Sequence, residues 1–289
     1  MPELPEVETI KNDLKRQVVG ATITEVDTDW PKTVNEPEYE LFSSLLPGKK
    51  IKDIQRRGKN LIIAVDDSYL WVHFKMTGHM VVAPAKSLNK DKWDVDDPDS
   101  PLSERVNQYI HLAFYLDDGR VMALSDLRKF ARVALVNEEG LNEILANLGP
   151  EPLEDSFTFD VFVARIMKKR GVIKKVLMDQ DVIAGIGNIY ADEILFEARI
   201  APQRAASELS ESELKRLYKS TRDVLKKAVK MRGTSISDYR DASGKKGAYS
   251  EVRKVYRRTD EPCPNDCGGV VHRVKINGRS SHYCPNCQK

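Results

Sequence analysis

No run of apolar residues in this chain approaches the roughly 20 needed to cross a bilayer, although hydrophobic residues make up 41% of its 289 positions. Its first residues are acidic and lack the apolar centre of a signal peptide, so a cytoplasmic protein without membrane attachment is expected. Excess charge of one sign is also missing: 46 Lys and Arg face 44 Asp and Glu, a net of +2. Overall charge therefore announces no polyanionic partner, and any such partner must be met by local clusters. Four exist: Arg56-Arg57 with Lys59, Lys168-Lys169-Arg170 with Lys174-Lys175, Lys226-Lys227 with Lys230 and Arg232, and Arg253-Lys254 with Arg257-Arg258. Cysteine is absent before Cys263, which excludes a disulfide framework for most of the chain. No internal repeat is present.

What is present divides the chain in three. After an N-terminal helix, residues 21–136 carry short β-branched and aromatic runs, from Ala21–Asp27 to Val133–Val136, separated by signals such as Pro47-Gly48 and Asp117-Asp118-Gly119. They predict an antiparallel sandwich or flattened barrel. Between two of them, Pro84–Val106 is polar, with Asp94, Asp96, Asp97 and Asp99, and reads as a surface loop or disordered insertion. From 137 to 250 the pattern turns helical, with a stop at Gly149-Pro150 and a capping box at Ser210-x-x-Glu213. Residues 234–250 read as a mobile loop. The last segment, 251–289, holds the four cysteines. The expected fold is therefore α+β with two main domains, at 1–136 and 137–250, and a terminal module.

Cys263-x3-Cys267 and Cys284-x2-Cys287 flank a hairpin-length spacer. Two close pairs so spaced suit one structural, tetrahedral Zn²⁺ in a reducing compartment. So short a tail cannot build a hydrophobic core, and the metal would replace one. Gly185 and Gly187 in Ala184-Gly185-Ile186-Gly187-Asn188 lack the third glycine and the preceding strand of a dinucleotide loop. A tight turn between helices, offering N–H groups and Asn188 to a phosphate, suits them better.

At the other end, Pro2 would be the first residue once Met1 is removed. Its secondary amine titrates near ~8, against ~10.4 for lysine, and the positive end of the following helix disfavours protonation further. Such an amine can attack a sugar C1′ and give an iminium directly. Glu3 and Glu6 are within reach to move protons. On local physics alone, prolines and glutamates are ordinary first-turn residues.

The run Pro2-Glu3-Leu4-Pro5-Glu6-Val7-Glu8-Thr9 and the string Val182-Ile183-Ala184-Gly185-Ile186-Gly187-Asn188-Ile189-Tyr190-Ala191-Asp192-Glu193 resemble those of the formamidopyrimidine-DNA glycosylases. The wedge loops and cysteine pairs follow in that family's order. The resemblance implies a base-excision repair enzyme, bifunctional as glycosylase and lyase. It would remove oxidised purines such as 8-oxoguanine and formamidopyrimidines from double-stranded DNA, acting as a monomer with the DNA between its two halves. It implies an N-terminal β-sandwich carrying the catalytic helix, a helical domain with a helix–two-turn–helix, and a zinc finger. By resemblance, Pro2 is the nucleophile, Glu3 manages protons, Lys59 donates a proton in β-elimination, and Arg279 contacts phosphate at the lesion and assists the second elimination. Met76 and Phe130 would enter the base stack and Arg128 would meet the orphaned base. Lys169 or Arg170 would contact phosphate, as would Asn188. Residues 234–250 would cap the flipped base. The chain departs from the pattern at Tyr109, where the first histidine of a His-x-His pair is usual and His111 keeps the second. It departs also at Leu127 and Ala131 and in the three-residue first knuckle. These departures leave two other readings: a non-catalytic protein that binds damaged DNA, and an oxidised-pyrimidine glycosylase of the endonuclease VIII type.

Overall fold

The computed structural model describes residues 1–236 and 238–289. They form two compact units, one of residues 1–146 with 231–250, the other of 147–230 with 251–289. Segment 137–250, read above as one helical piece, is thus shared between them.

In the first unit, α1 (Leu4–Val18) leads into β1 (Ile23–Asp27), β2 (Val34–Glu36), α2 (Tyr39–Leu45), β3 (Ile51–Arg57), β4 (Asn60–Val65), β5 (Ser68–His73) and β6 (His79–Pro84). Two short strands follow, β7 (Leu88–Asn89) and β8 (Lys92–Trp93), then β9 (Ile110–Leu116), β10 (Arg120–Ser125), β11 (Arg132–Val136) and α3 (Glu138–Leu145). One sheet has the order β1-β9-β10-β6 and the other β2-β11-β5-β4-β3, antiparallel except where β2 meets β11. A single core lies between them. Val7, Ile10, Leu14 and Val18, one face of α1, are fully buried in it with Ile54, Ile63, Val72, Phe114 and Met122. The expected sandwich is present, with the N-terminal helix seated in its core.

Two expectations about loops are corrected. The polar 84–106 segment is ordered: it carries β7 and β8, and Trp93 packs with Val81, Ile110 and Val121 in a small second core. Its many aspartates sit at the exposed turn while one tryptophan anchors it, a feature that composition hides. The 234–250 segment is not a loose loop either. Tyr239 and Ala242 belong to the main core, and Val82 N donates to Ala242 O at 2.8 Å.

The second unit contains α4 (Phe159–Met167), α5 (Ile173–Met178), α6 (Asn188–Glu197), α7 (Glu211–Lys230) and the hairpin β12 (His272–Ile276)–β13 (Arg279–Tyr283). The capping box opens α7 as its sequence predicts: Ser210 N donates to Glu213 Oε2 at 2.8 Å and Glu213 N to Ser210 Oγ at 3.4 Å. α6 is buried on most sides, and its Asp192 and Glu193 are consumed internally. Glu193 accepts from the N–H groups of Lys254, Val255 and Tyr256 at 2.7–2.9 Å. Asp192 meets Lys174 Nζ at 2.7 Å and His282 N at 2.9 Å, tying α5 and the hairpin to α6. No helix among the described residues is long and apolar enough to cross a membrane.

Candidate active site and zinc centre

The start of α1 is pinned by its own glutamates. Glu3 is the N-cap residue, its carboxylate accepting the N–H of Glu6, while Glu6 reaches back to Glu3 N at 2.8 Å. The other Glu6 oxygen accepts from Thr234 N at 2.7 Å. Both Glu6 oxygens thus accept backbone N–H groups, which helps fix the helix start. Pro2 and Glu3 are buried at this point. Burial lowers the pKa of the Met1 amino group beside them. Glu3, Glu6 and Asp238 act against that shift and Lys59 adds to it. The structure thus brings the N-terminus, Glu3 and Lys59 into one electrostatic neighbourhood.

Lys59 is placed by a two-residue turn between β3 and β4, with Arg57 opposite Asn60 and Gly58 at φ 57°. It is only 7% exposed. Near it lies His73, at the end of β5, to which the sequence reading gave no role. Its Nδ1 accepts from Lys75 N at 3.0 Å, so the neutral ring carries its proton on Nε2. Burial first, then Lys75 and Lys59, push its pKa down to about 4. Because the folded value lies below the unfolded one of about 6.5, the unfolded chain binds more protons between them. His73 therefore takes stability away as pH falls from about 6.5 toward 4. Its ring resonances in NMR are expected to stay those of the neutral form down to pH 5; a midpoint above 6 would refute the packing described.

Glycines allow the 231–250 segment to approach α1. Gly233 has φ +79°, and a Cβ there would lie 2.8 Å from Glu6 Oε1. At Gly247 a Cβ would fall 2.2 Å from Arg232 O and 2.4 Å from Gly233 O, both backbone atoms that cannot swing away. Gly247→Ala is expected to cost about 3 kcal/mol in urea denaturation; a loss below about 1 kcal/mol would contradict so close an approach.

The wedge residues stand together on the first unit. Met76, Leu127 and Phe130 are each more than 40% exposed, unusual for large apolar side chains. Arg128 lies over the Phe130 ring, 4.5 Å from its centroid, and its Nη1 is 3.2 Å from Met76 Sδ. Beneath them Asp126 is buried and accepts from Phe130 N and Ala131 N at 2.7 Å and from Thr77 Oγ1. Ala131, in place of the usual glycine, is buried without disturbing this turn. The Tyr109 hydroxyl accepts from Arg105 Nε at 2.8 Å. His111 instead turns Nδ1 to Asp29 at 2.7 Å.

In the second unit Asn188 opens α6 and its buried Oδ1 lacks a hydrogen-bond partner. It lines a groove of about 580 Å³ with Arg257, Arg273, Arg279 and Ser280. The three arginines around this groove supply the donors and positive charge that suit a phosphate. Arg279 follows Asn277-Gly278, both at positive φ, a two-residue hairpin turn. Lys169 pairs with Asp179 and Asp181 at 3.1 and 2.7 Å, whereas Arg170 is exposed.

The four cysteine sulfurs lie within 4.8 Å of one another. Cys263 and Cys287 are 3.6 Å apart and Cys267 and Cys284 3.5 Å. A ZnS₄ tetrahedron with bonds of about 2.3 Å has edges of about 3.8 Å, so the donor set fits Zn²⁺, and these separations are far too long for disulfides. The three-residue knuckle is absorbed by Asp266 at φ 50° and Gly268 at φ 72°. Burial pushes the Cys263 thiol up to about 12, while a hydrogen bond from Cys287 brings Cys267 down to about 7.

Three family models match in order: the formamidopyrimidine-DNA glycosylase N-terminal domain over residues 1–133, the H2TH domain of the same enzymes over 148–240, and the zinc finger found in FPG and IleRS over 260–289. The chain belongs to the formamidopyrimidine-DNA glycosylase family. It is 39% identical to the formamidopyrimidine-DNA glycosylase of Pelotomaculum thermopropionicum, covering 100% of this chain and 99% of that one. Among solved structures it resembles Lactococcus lactis Fpg complexed with DNA containing an abasic site, at TM-score 0.86 and 33% identity over 99% of each chain. It resembles also MutM with DNA containing carbocyclic 8-oxo-G, at TM-score 0.85 and 34% identity over 100% of each. The cysteine cluster of this glycosylase-family enzyme is its site for one structural Zn²⁺.

Proposed function

We propose that this glycosylase removes oxidised purines from duplex DNA and then cuts the resulting abasic strand through its N-terminal proline, working as a monomer on cytoplasmic DNA. The observation that carries this reading is Pro2, buried with Glu3 and Lys59 next to an amino group, that of Met1, whose protonation burial disfavours. The lone pair of Pro2 N forms a bond to C1′ as the C1′–N9 bond breaks, and its electrons leave with the base, which takes up a proton. The Pro2 ammonium so formed loses its proton to Glu3; the C1′–O4′ bond then breaks, O4′ takes that proton, and the iminium forms. Loss of a C2′ proton then expels the 3′ phosphate, with Lys59 as proton donor. A second elimination expels the 5′ phosphate, assisted by Arg279. A one-nucleoside gap with phosphates at both ends remains.

Met76, Arg128 and Phe130 fill the hole left by the extruded base, which offsets the cost of unstacking. Asn188 and Arg279, with Lys169 or Arg170 and Tyr109, hold phosphates. The related MutM complex with 8-oxo-G DNA supports the purine reading. Duplexes with one 8-oxoguanine opposite cytosine, or one thymine glycol opposite adenine, test it. Faster excision of 8-oxoguanine is expected. Faster excision of thymine glycol would assign the enzyme to oxidised pyrimidines instead.

A further inference from the structure

The 84–108 segment, polar and unassigned by the reaction above, reaches the 239–247 stretch of its own unit at several points. Arg240 is 4% exposed, and its Nε and Nη2 donate to Glu104 Oε2 at 2.9 and 2.5 Å. Arg240 Nη1 also donates to Tyr239 O at 2.6 Å, so the same guanidinium grips the backbone at the end of the span 235–239. Lys246 Nζ lies 3.8 Å from the other Glu104 oxygen. Three residues on, Asn107 is fully buried. Its Nδ2 donates to Gly244 O at 3.1 Å and to Pro101 O at 2.6 Å, while its Oδ1 meets His79 Nε2 at 2.8 Å. A Cβ on Gly244 would come within 2.9 Å of that amide nitrogen, so the Asn107 side chain lies directly against the Gly244 backbone.

The opposite end of the same span is tied elsewhere. Thr234 N donates to Glu6, and Ser235 Oγ donates to Tyr239 O at 2.7 Å while accepting from Gly247 N at 2.9 Å. The stretch is therefore held at one end by the helix that carries Pro2 and at the other by Glu104 and Asn107.

We infer that Glu104 and Asn107 are positioning residues that latch the segment capping the flipped base. This rests on the proposed glycosylase reading, in which residues 234–250 cover the extruded purine. The latch sets how often that cover opens. Local opening is governed by the contacts made only in the closed form, and truncating Glu104 would leave a buried guanidinium short of its carboxylate. Removing the latch then weakens the step that needs the base held, and leaves the later steps, which act on a sugar whose base has gone.

Hydrogen exchange across residues 238–247 and two single-turnover rates test this in wild type, Glu104→Gln and Asn107→Ala. One rate is excision of 8-oxoguanine; the other is incision of a preformed abasic site. In both variants we expect exchange to accelerate by about tenfold or more, excision to fall by a similar factor, and abasic-site incision to stay within about twofold. The exchanged-charge pair Glu104→Arg with Arg240→Glu is expected to recover part of both losses. Unchanged exchange would overturn the latch, as would equal loss of excision and incision, which marks a general folding defect. If wild type incises abasic sites but leaves 8-oxoguanine in place, the substrate reading fails, while the exchange data still decide whether the latch exists.

Discussion

Borohydride added to the protein and a duplex with one 8-oxoguanine is expected to freeze a covalent adduct, which mass spectrometry should place on the nitrogen of Pro2. The argument is one of protonation and geometry. An α-amine near ~8 is already partly neutral at pH 7, and burial next to the start of α1 lowers the neighbouring amino group further. Pro2→Gly substitutes a primary amine and removes the ring that fixes the backbone. A primary amine must lose a second proton before its imine forms, and it wanders over more conformations. Base excision is expected to fall on the order of a thousandfold, about 4 kcal/mol of transition-state stabilisation, with the adduct yield falling alongside. Glu3→Gln separates capping from chemistry. The amide oxygen can still accept the Glu6 N–H, so α1 keeps its start, but the proton acceptor is gone. Excision should then drop by about 10²–10⁴ while the variant still forms an adduct on a preformed abasic site. An adduct mapped to Lys59, or Pro2→Gly cutting at the wild-type rate, would remove Pro2 from the mechanism.

Sequence legibility followed the range of the interaction involved. α1 was readable because its core-facing residues recur at helical spacing and all prove fully buried. The α7 capping box was readable because both halves lie within one turn. The cysteine set was readable because metal geometry imposes spacing. Strand β6 was missed although His79–Pro84 carries Val81 and Val82; what makes it a strand is its pairing with β10 from Arg120 to Ser125. The same holds for 231–250. Its glycines and serines have loop propensity, and long-range partners, Asp13 for Arg232 and Glu6 for Thr234, make it part of the first unit. Glu6 shows the limit from the other side. Sequence places two carboxylates near the amine, but that one oxygen of Glu6 accepts from Thr234 N, 228 residues away, is set only by the fold.

Chelation or Cys284→Ser is expected to separate the hairpin from the rest of the protein. Wild type should carry one zinc per chain and the variant none. The reason is the size of what remains without metal. Around the site only Phe196, Val255, Val271 and the cysteines themselves form a core, far too little apolar surface to offset the ordering of some thirty residues at about 1–2 kcal/mol each. Structural zinc supplies about 10–16 kcal/mol in comparable small modules. Cys284 is fully buried, so serine there both removes a ligand and leaves a hydroxyl in an apolar pocket. Amide protection across β12 and β13 should vanish, whereas β4 and β5, in a separate core, keep theirs. Loss of the hairpin removes Arg279 and Arg273 from the groove that Asn188 lines. Duplex affinity is therefore expected to fall by about a hundredfold and the salt dependence of binding to flatten, because fewer phosphates are neutralised. Retention of stoichiometric zinc by Cys284→Ser, or amide protection in β12 and β13 unaffected by complete chelation, would show that the hairpin stands without the metal.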